Sequence, residues 1–256
     1  PVSNIIGNGQ ITLIIALCVT VAWIYRKKYF FVTMIALSIA FIKYSFGLPI
    51  LFGFFVAGYY KEVIGAILVN LVAVVIYSLL FDIGIVESLL LPIKVAFTHP
   101  TVGPIDLMSL VKLLLPGEKF SFFLIPIIYG VFALLVLKYR ELFTDSDIVA
   151  LSIFLSLVTF FHLGYDHVMF LVGLLIFKTD VKANNFYFII FSIISILLWH
   201  CGRVLSYLPF HFEYACVYGG NTVYTLLFSN AIIFLVFLYL LNKIKPEFFS
   251  LKQLRY

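Results

Sequence analysis

Apolar residues along this chain do not alternate with polar ones; they run on for about 17 to 20 positions at a time, stop at short polar or basic clusters, and resume. Runs of that length predict helices that cross a bilayer, because backbone N–H and C=O groups cannot stay unpaired in hydrocarbon. The lack of alternation excludes a barrel. Nine segments follow: Gly9 to Tyr25, Tyr29 to Ile42, Ser45 to Tyr59, Val63 to Phe81, Phe120 to Leu137, Ser146 to Phe161, Tyr165 to Phe177, Phe186 to Trp199 and Thr222 to Leu241. The expected fold class is an all-α integral membrane protein, a polytopic helical bundle making one domain over residues 1–256.

Two places depart from one run per crossing. Between Arg26-Lys27-Lys28 and Lys61 lie 32 residues, interrupted midway by Lys43-Tyr44-Ser45 and Pro49. Two helices of about 15 residues reach roughly 22 Å each, short of a hydrocarbon core of about 30 Å, so the turn between them should stop below the surface. The same design recurs between Arg140 and Lys178, where the midway turn is His162-Leu163-Gly164-Tyr165-Asp166-His167. Polar turns at that depth need protein or a water-filled cavity around them, so both are expected to open into a common cavity on the outer side.

Composition agrees with this pattern. Hydrophobic residues make up 64% of the chain and charged residues 11%, and the mean hydropathy is +1.15, which excludes a soluble globular domain of this length. The net charge of +5 sits in short clusters between apolar runs, where it orients the chain; no nucleic-acid partner is read from it. With the N-terminus outside, Arg26, Lys27, Lys28, Lys61, Lys138, Arg140, Lys178, Lys182, Lys243, Lys245, Lys252 and Arg255 face inward, twelve of the 17 Lys and Arg. That side is the cytoplasmic one, and the expected location is the plasma or inner membrane. Pro1 opens the chain without a signal pattern, so the residues are expected to be the later part of a longer protein. The outer loop Asp82 to Lys119 is expected to hold interfacial helices at Leu89 to Phe97 and Leu107 to Leu115, and the basic tail from Asn242 to rest on the inner leaflet. Cys201 and Cys216 share one outer loop, where they either pair or stay free.

Lys43 stands out among the polar residues, since an ammonium in an apolar stretch costs about 2.5–3.5 kcal/mol at mid-membrane unless paired or hydrated. It reads either as a ligand for an anion such as the phosphate of a lipid carrier, or as a lysine snorkelling to the outer headgroups. His162, Asp166 and His167 read as a hydrogen-bonded set that orients a sugar or a carrier phosphate, or as a pair that merely fixes its turn; as metal ligands they lack a fourth partner. Arg203 suits a bidentate phosphate contact, and His99 and Asp106 lie in the rigid turn of the long outer loop. No phosphate-cradling glycine loop, nucleophile elbow or zinc-protease motif occurs, and no cofactor is implied.

The order of Gly7-Asn8-Gly9-Gln10, Arg26-Lys27-Lys28, Lys43 between two short helices, a long outer loop and the His162 to His167 turn resembles the family 87 glycosyltransferases. That family is similar to polyprenyl-phosphate-dependent mannosyltransferases and has the GT-C architecture, with its active site on the outer face. The resemblance implies a hexosyltransferase that moves a mannose-like hexose or a pentose from a polyprenyl-phosphate donor to a lipid or glycan acceptor, with inversion. Lys43 and Arg203 would then hold the donor phosphate, and Gln10, His99, His162, Asp166 and His167 would line the substrate site. The catalytic base of GT-C enzymes lies in the first outer loop, which would precede Pro1; Asp106 and Asp166 are weaker candidates, and these residues alone are expected to lack the base. Rival readings are a polysaccharide polymerase or ligase, and a transporter or flippase of a lipid-linked substrate, which also uses broken helices.

Overall fold

The computed structural model describes residues 2–98, 118–159, 168–179, 235–241, 243 and 244, with side chains described at 11–91, 126–157, 159, 168–179, 235–241, 243 and 244. Every regular element among the described residues is helical, as the apolar runs predict. The chain forms two compact units that divide between Val102 and Gly103.

The first unit contains α1 (Val2–Tyr25), α2 (Phe30–Ala40), α3 (Tyr44–Val56), α4 (Tyr60–Phe81) and α5 (Ile85–Thr98). Helix α2 packs against α1, α3 and α4, and α3 also touches α4. Ile15, Val19, Ala22, Leu37, Phe46, Ile50 and Phe54 are buried between them. α2 and α3, at 11 and 13 residues, reach only roughly 16 and 20 Å, which is the short hairpin expected from the spacing of the cations. Pro49 falls inside α3 and not at the turn, which is confined to Phe41, Ile42 and Lys43.

Glycine permits the tight hairpin: a Cβ on Gly47 would lie 2.4 Å from Phe41 Cα and 3.0 Å from the Ala40 carbonyl oxygen. Gly58 turns the chain from α3 to α4 at φ +102°, a conformation open to glycine at little cost. α4 stops at Asp82, whose φ of 53° lets the Ile83 N–H return to the Ser78 carbonyl at 3.1 Å, while the Ser78 hydroxyl bonds the Ile83 carbonyl. The expected interfacial helix Leu89 to Phe97 falls within α5.

α4, with 22 residues, is long and apolar enough to cross a membrane by length and composition. Its large side chains point outward: Ile64, Leu68, Val72, Ile76 and Leu80 are all exposed. Ile11–Tyr25, Phe30–Ala40, Tyr44–Val56, Pro126–Lys138 and Val168–Lys178 are shorter apolar helical stretches.

The second unit contains α6 (Glu118–Lys138), a 3-10 turn at Arg140–Leu142, α7 (Asp145–Thr159), α8 (Val168–Lys178) and helical residues 235–241. α7 and α8, at 15 and 11 residues, form the second short pair. Phe154 stacks 5.1 Å from Phe170, and a Cβ on Gly173 would come within 2.5 Å of the Phe154 ring. Tyr239, fully buried, meets Phe177 at 5.1 Å and so seats the last helical stretch on α8. The expected segment Phe186 to Trp199, the stretch Leu107 to Leu115, the first part of Thr222 to Leu241, and Cys201 and Cys216 lie outside the described residues.

Candidate functional site

Lys43 is the sequence-predicted site residue whose side chain the structure places. It is half-buried, and its ammonium donates to Thr12 Oγ1 at 3.2 Å and lies 5.2 Å from the centre of the Phe46 ring. Thr12 is fully buried on α1, thirteen residues before Tyr25, so the ammonium stands roughly 20 Å along that helix from the Arg26-Lys27-Lys28 cluster. Lys43 therefore sits at depth within the unit, beside the middle of α1.

Its backbone position adds a second feature. Lys43 is the N-cap of α3, with its carbonyl accepting the Phe46 and Gly47 N–H groups at 3.0 and 2.8 Å, and its own side chain does not cap this end. The helix dipole makes such an end electropositive, which disfavours a nearby cation by about 0.3–1 kcal/mol. An anion reverses the sign, since ammonium and helix end then attract it together.

Gln10 lies on α1 two residues before Thr12, with only its backbone described. His99, Asp106, His162, Asp166, His167 and Arg203 lie outside the described residues. Among the described residues no three His, Cys, Asp or Glu side chains gather as a metal set.

No protein-family model, curated protein or solved structure matches the chain.

Two polar groupings were not singled out from the sequence. Asn70, midway along α4, donates to the Ser38 hydroxyl at 3.0 Å and to the Ser38 carbonyl at 3.1 Å, binding α4 to α2 inside an apolar layer. A single polar residue within an apolar run leaves no motif, and only the structure supplies its partner.

The other grouping surrounds Asp147, which is 1% exposed. Its carboxylate accepts the Thr144 N–H at 3.0 Å, and its own N–H donates to Thr144 Oγ1 at 3.2 Å, a reciprocal cap on α7. Lys243 stands 3.4 Å from the same carboxylate and donates to the Leu142 carbonyl at 2.9 Å. Arg140 pairs with Asp145 at 2.7 Å nearby and donates to the Phe143 carbonyl at 2.6 Å. The Thr144-x-x-Asp147 spacing ahead of an apolar run is a legible cap signal, whereas Lys243, about a hundred residues on, is not. All of these charged groups have protein partners, so the cluster fastens the last helical stretch to the start of α7.

Proposed function

We propose that the chain is a multi-pass protein of the plasma or inner membrane, and that it transfers a sugar from a polyprenyl-phosphate donor to a lipid or glycan acceptor on the extracytoplasmic side. Membrane insertion is supported by the outward-facing Ile64, Leu68, Val72, Ile76 and Leu80 of α4, which would otherwise present a large apolar surface to water. The nine-segment, GT-C-like arrangement and the inward-facing cations belong to this reading, with Lys27 and Lys61 on the cytoplasmic side and Lys43 toward the other.

One observation carries the substrate assignment: Lys43 heads α3 with its ammonium held at Thr12, roughly 20 Å along α1 from the Arg26-Lys27-Lys28 cluster. Cation and helix end together favour a phosphate there. In the transfer the acceptor hydroxyl attacks the anomeric carbon, the bond from that carbon to the phosphate oxygen breaks, and the hydroxyl proton passes to a carboxylate. Lys43 stabilises the charge that grows on the departing phosphate. Arg203 would share that task, Asp106 and Asp166 are candidate carboxylates, and Gln10, His99, His162 and His167 are candidate sugar contacts.

Binding of polyprenyl phosphate by the purified protein, followed by native mass spectrometry, tests this reading. Lys43→Ala is expected to weaken binding about ten- to hundredfold, the worth of one charge-assisted hydrogen bond, with Lys43→Arg retaining part of it. Unchanged binding in Lys43→Ala would remove the lysine from the site. Sugar transfer in proteoliposomes then separates the enzyme from a flippase, which would move the lipid without forming a glycosylated product.

A further inference from the structure

Arg26 and Tyr59 are 33 residues apart, yet Arg26 Nε donates to Tyr59 Oη at 3.1 Å. That bond ties the α1–α2 turn to the α3–α4 turn and gathers Lys27, Lys28 and Lys61 at one end of the first unit. The tie is stiff. The Arg26 guanidinium lies 3.3 Å from the centre of the Trp23 ring and donates to the Trp23 carbonyl at 2.5 Å. Trp23 meets Phe54 edge-on at 6.3 Å, and Phe54 meets Tyr59 at 5.8 Å. Arg26 is thus engaged by protein groups, whereas Lys27, Lys28 and Lys61 are exposed.

The surroundings select the partner. Tyr25, Tyr29 and Tyr60 are exposed beside the lysines, and so are Phe31 and Ile64 on the helices that lead away from them. Glu62, the one carboxylate in these turns and the adjoining helix starts among the described residues, is half-buried. A soluble polyanion would meet the lysines but leave the apolar flanks in water. A phospholipid satisfies both, with its phosphate on the lysines, its upper chain against Phe31 and Ile64, and tyrosines at the headgroup level.

We propose that this end of the unit is a docking surface for anionic phospholipids, built on the Arg26–Tyr59 tie; the inference rests on the membrane reading above. Each lysine near an anionic headgroup layer gives about a fivefold gain in local affinity.

Trp23, buried beneath the Arg26 guanidinium at this end of the unit, serves as a short-range reporter. With Trp199→Phe as the background, the full chain is reconstituted in phosphatidylcholine, and phosphatidylglycerol or phosphatidylcholine brominated high on the acyl chains is titrated in. Brominated phosphatidylglycerol is expected to quench Trp23 at a mole fraction about fivefold or more below that of brominated phosphatidylcholine. Raised salt in the unchanged lysine background, or Lys27→Gln, Lys28→Gln and Lys61→Gln together, should bring the two curves together. Equal quenching by both lipids from the outset would overturn the docking surface while leaving the membrane reading standing. Quenching by neither would overturn both.

Discussion

The Lys43 ammonium reaches back 31 residues to the hydroxyl of Thr12, joining the turn of the first short hairpin to the middle of α1. Removing the oxygen alone leaves a half-buried cation short of an acceptor, whereas removing both groups leaves an apolar contact. Thr12→Val is therefore expected to lower stability by about 1.5–3 kcal/mol, and Thr12→Val with Lys43→Met by less than the sum of the single changes. Thermal unfolding of the four proteins in one detergent checks the cycle, and strict additivity would contradict the contact.

Three glycines rank by what a methyl group would strike. At Gly47 the obstacle is the Phe41 Cα at 2.4 Å, a backbone atom that cannot turn aside. At Gly173 it is the Phe154 ring at 2.5 Å, itself fully buried, and at Gly65 it is the Met34 Sδ at 2.6 Å, the end of an unbranched side chain with several rotatable bonds. Overpacking costs about 1–3 kcal/mol, so Gly47→Ala is expected at or above the top of that range, Gly173→Ala within it and Gly65→Ala at the bottom. A smaller loss in Gly47→Ala than in Gly65→Ala would argue against the packing of α2 on α3, and no loss in Gly173→Ala against that of α7 on α8.

Asp147 and Asp145 carry unequal weight although each meets a cation. Asp147→Ala removes a cap worth about 1 kcal/mol and strands Lys243 beside the Leu142 carbonyl, for a loss of about 2–3 kcal/mol. Asp145→Ala breaks a pair whose side chains are 41% and 23% exposed, worth less than about 1 kcal/mol. Limited proteolysis after residue 241 should accelerate in Asp147→Ala and not in Asp145→Ala.

The helices of the first unit were legible because clusters of cations punctuate them. Arg26-Lys27-Lys28 and Lys61 bracket the short pair, and the described helices end within a few residues of the expected limits. α1 begins at Val2, ahead of the expected Gly9, since the polar Asn and Gly near its start do not stop a helix that continues into an apolar run. α4 takes Lys61 and Glu62 into its first turn for the same reason. Lys43 was visible as a charge in the wrong solvent, but its partner Thr12 was not, because a threonine in an apolar helix carries no signal of its own. Asn70 and Lys243 were hidden likewise: the first has an ordinary helical setting, and the second finds Asp147 only through tertiary packing.

The proposed function requires Lys43 to face water on the side opposite Lys27. With Cys18, Cys201 and Cys216 replaced by Ser, Lys43→Cys and Lys27→Cys can be exposed in intact cells to a small membrane-impermeant thiol reagent. Lys43→Cys is expected to react from outside, more slowly than a surface thiol, and Lys27→Cys only after the membrane is opened. Reaction of Lys27→Cys from outside with Lys43→Cys protected, or of both from one side, would contradict the proposed site.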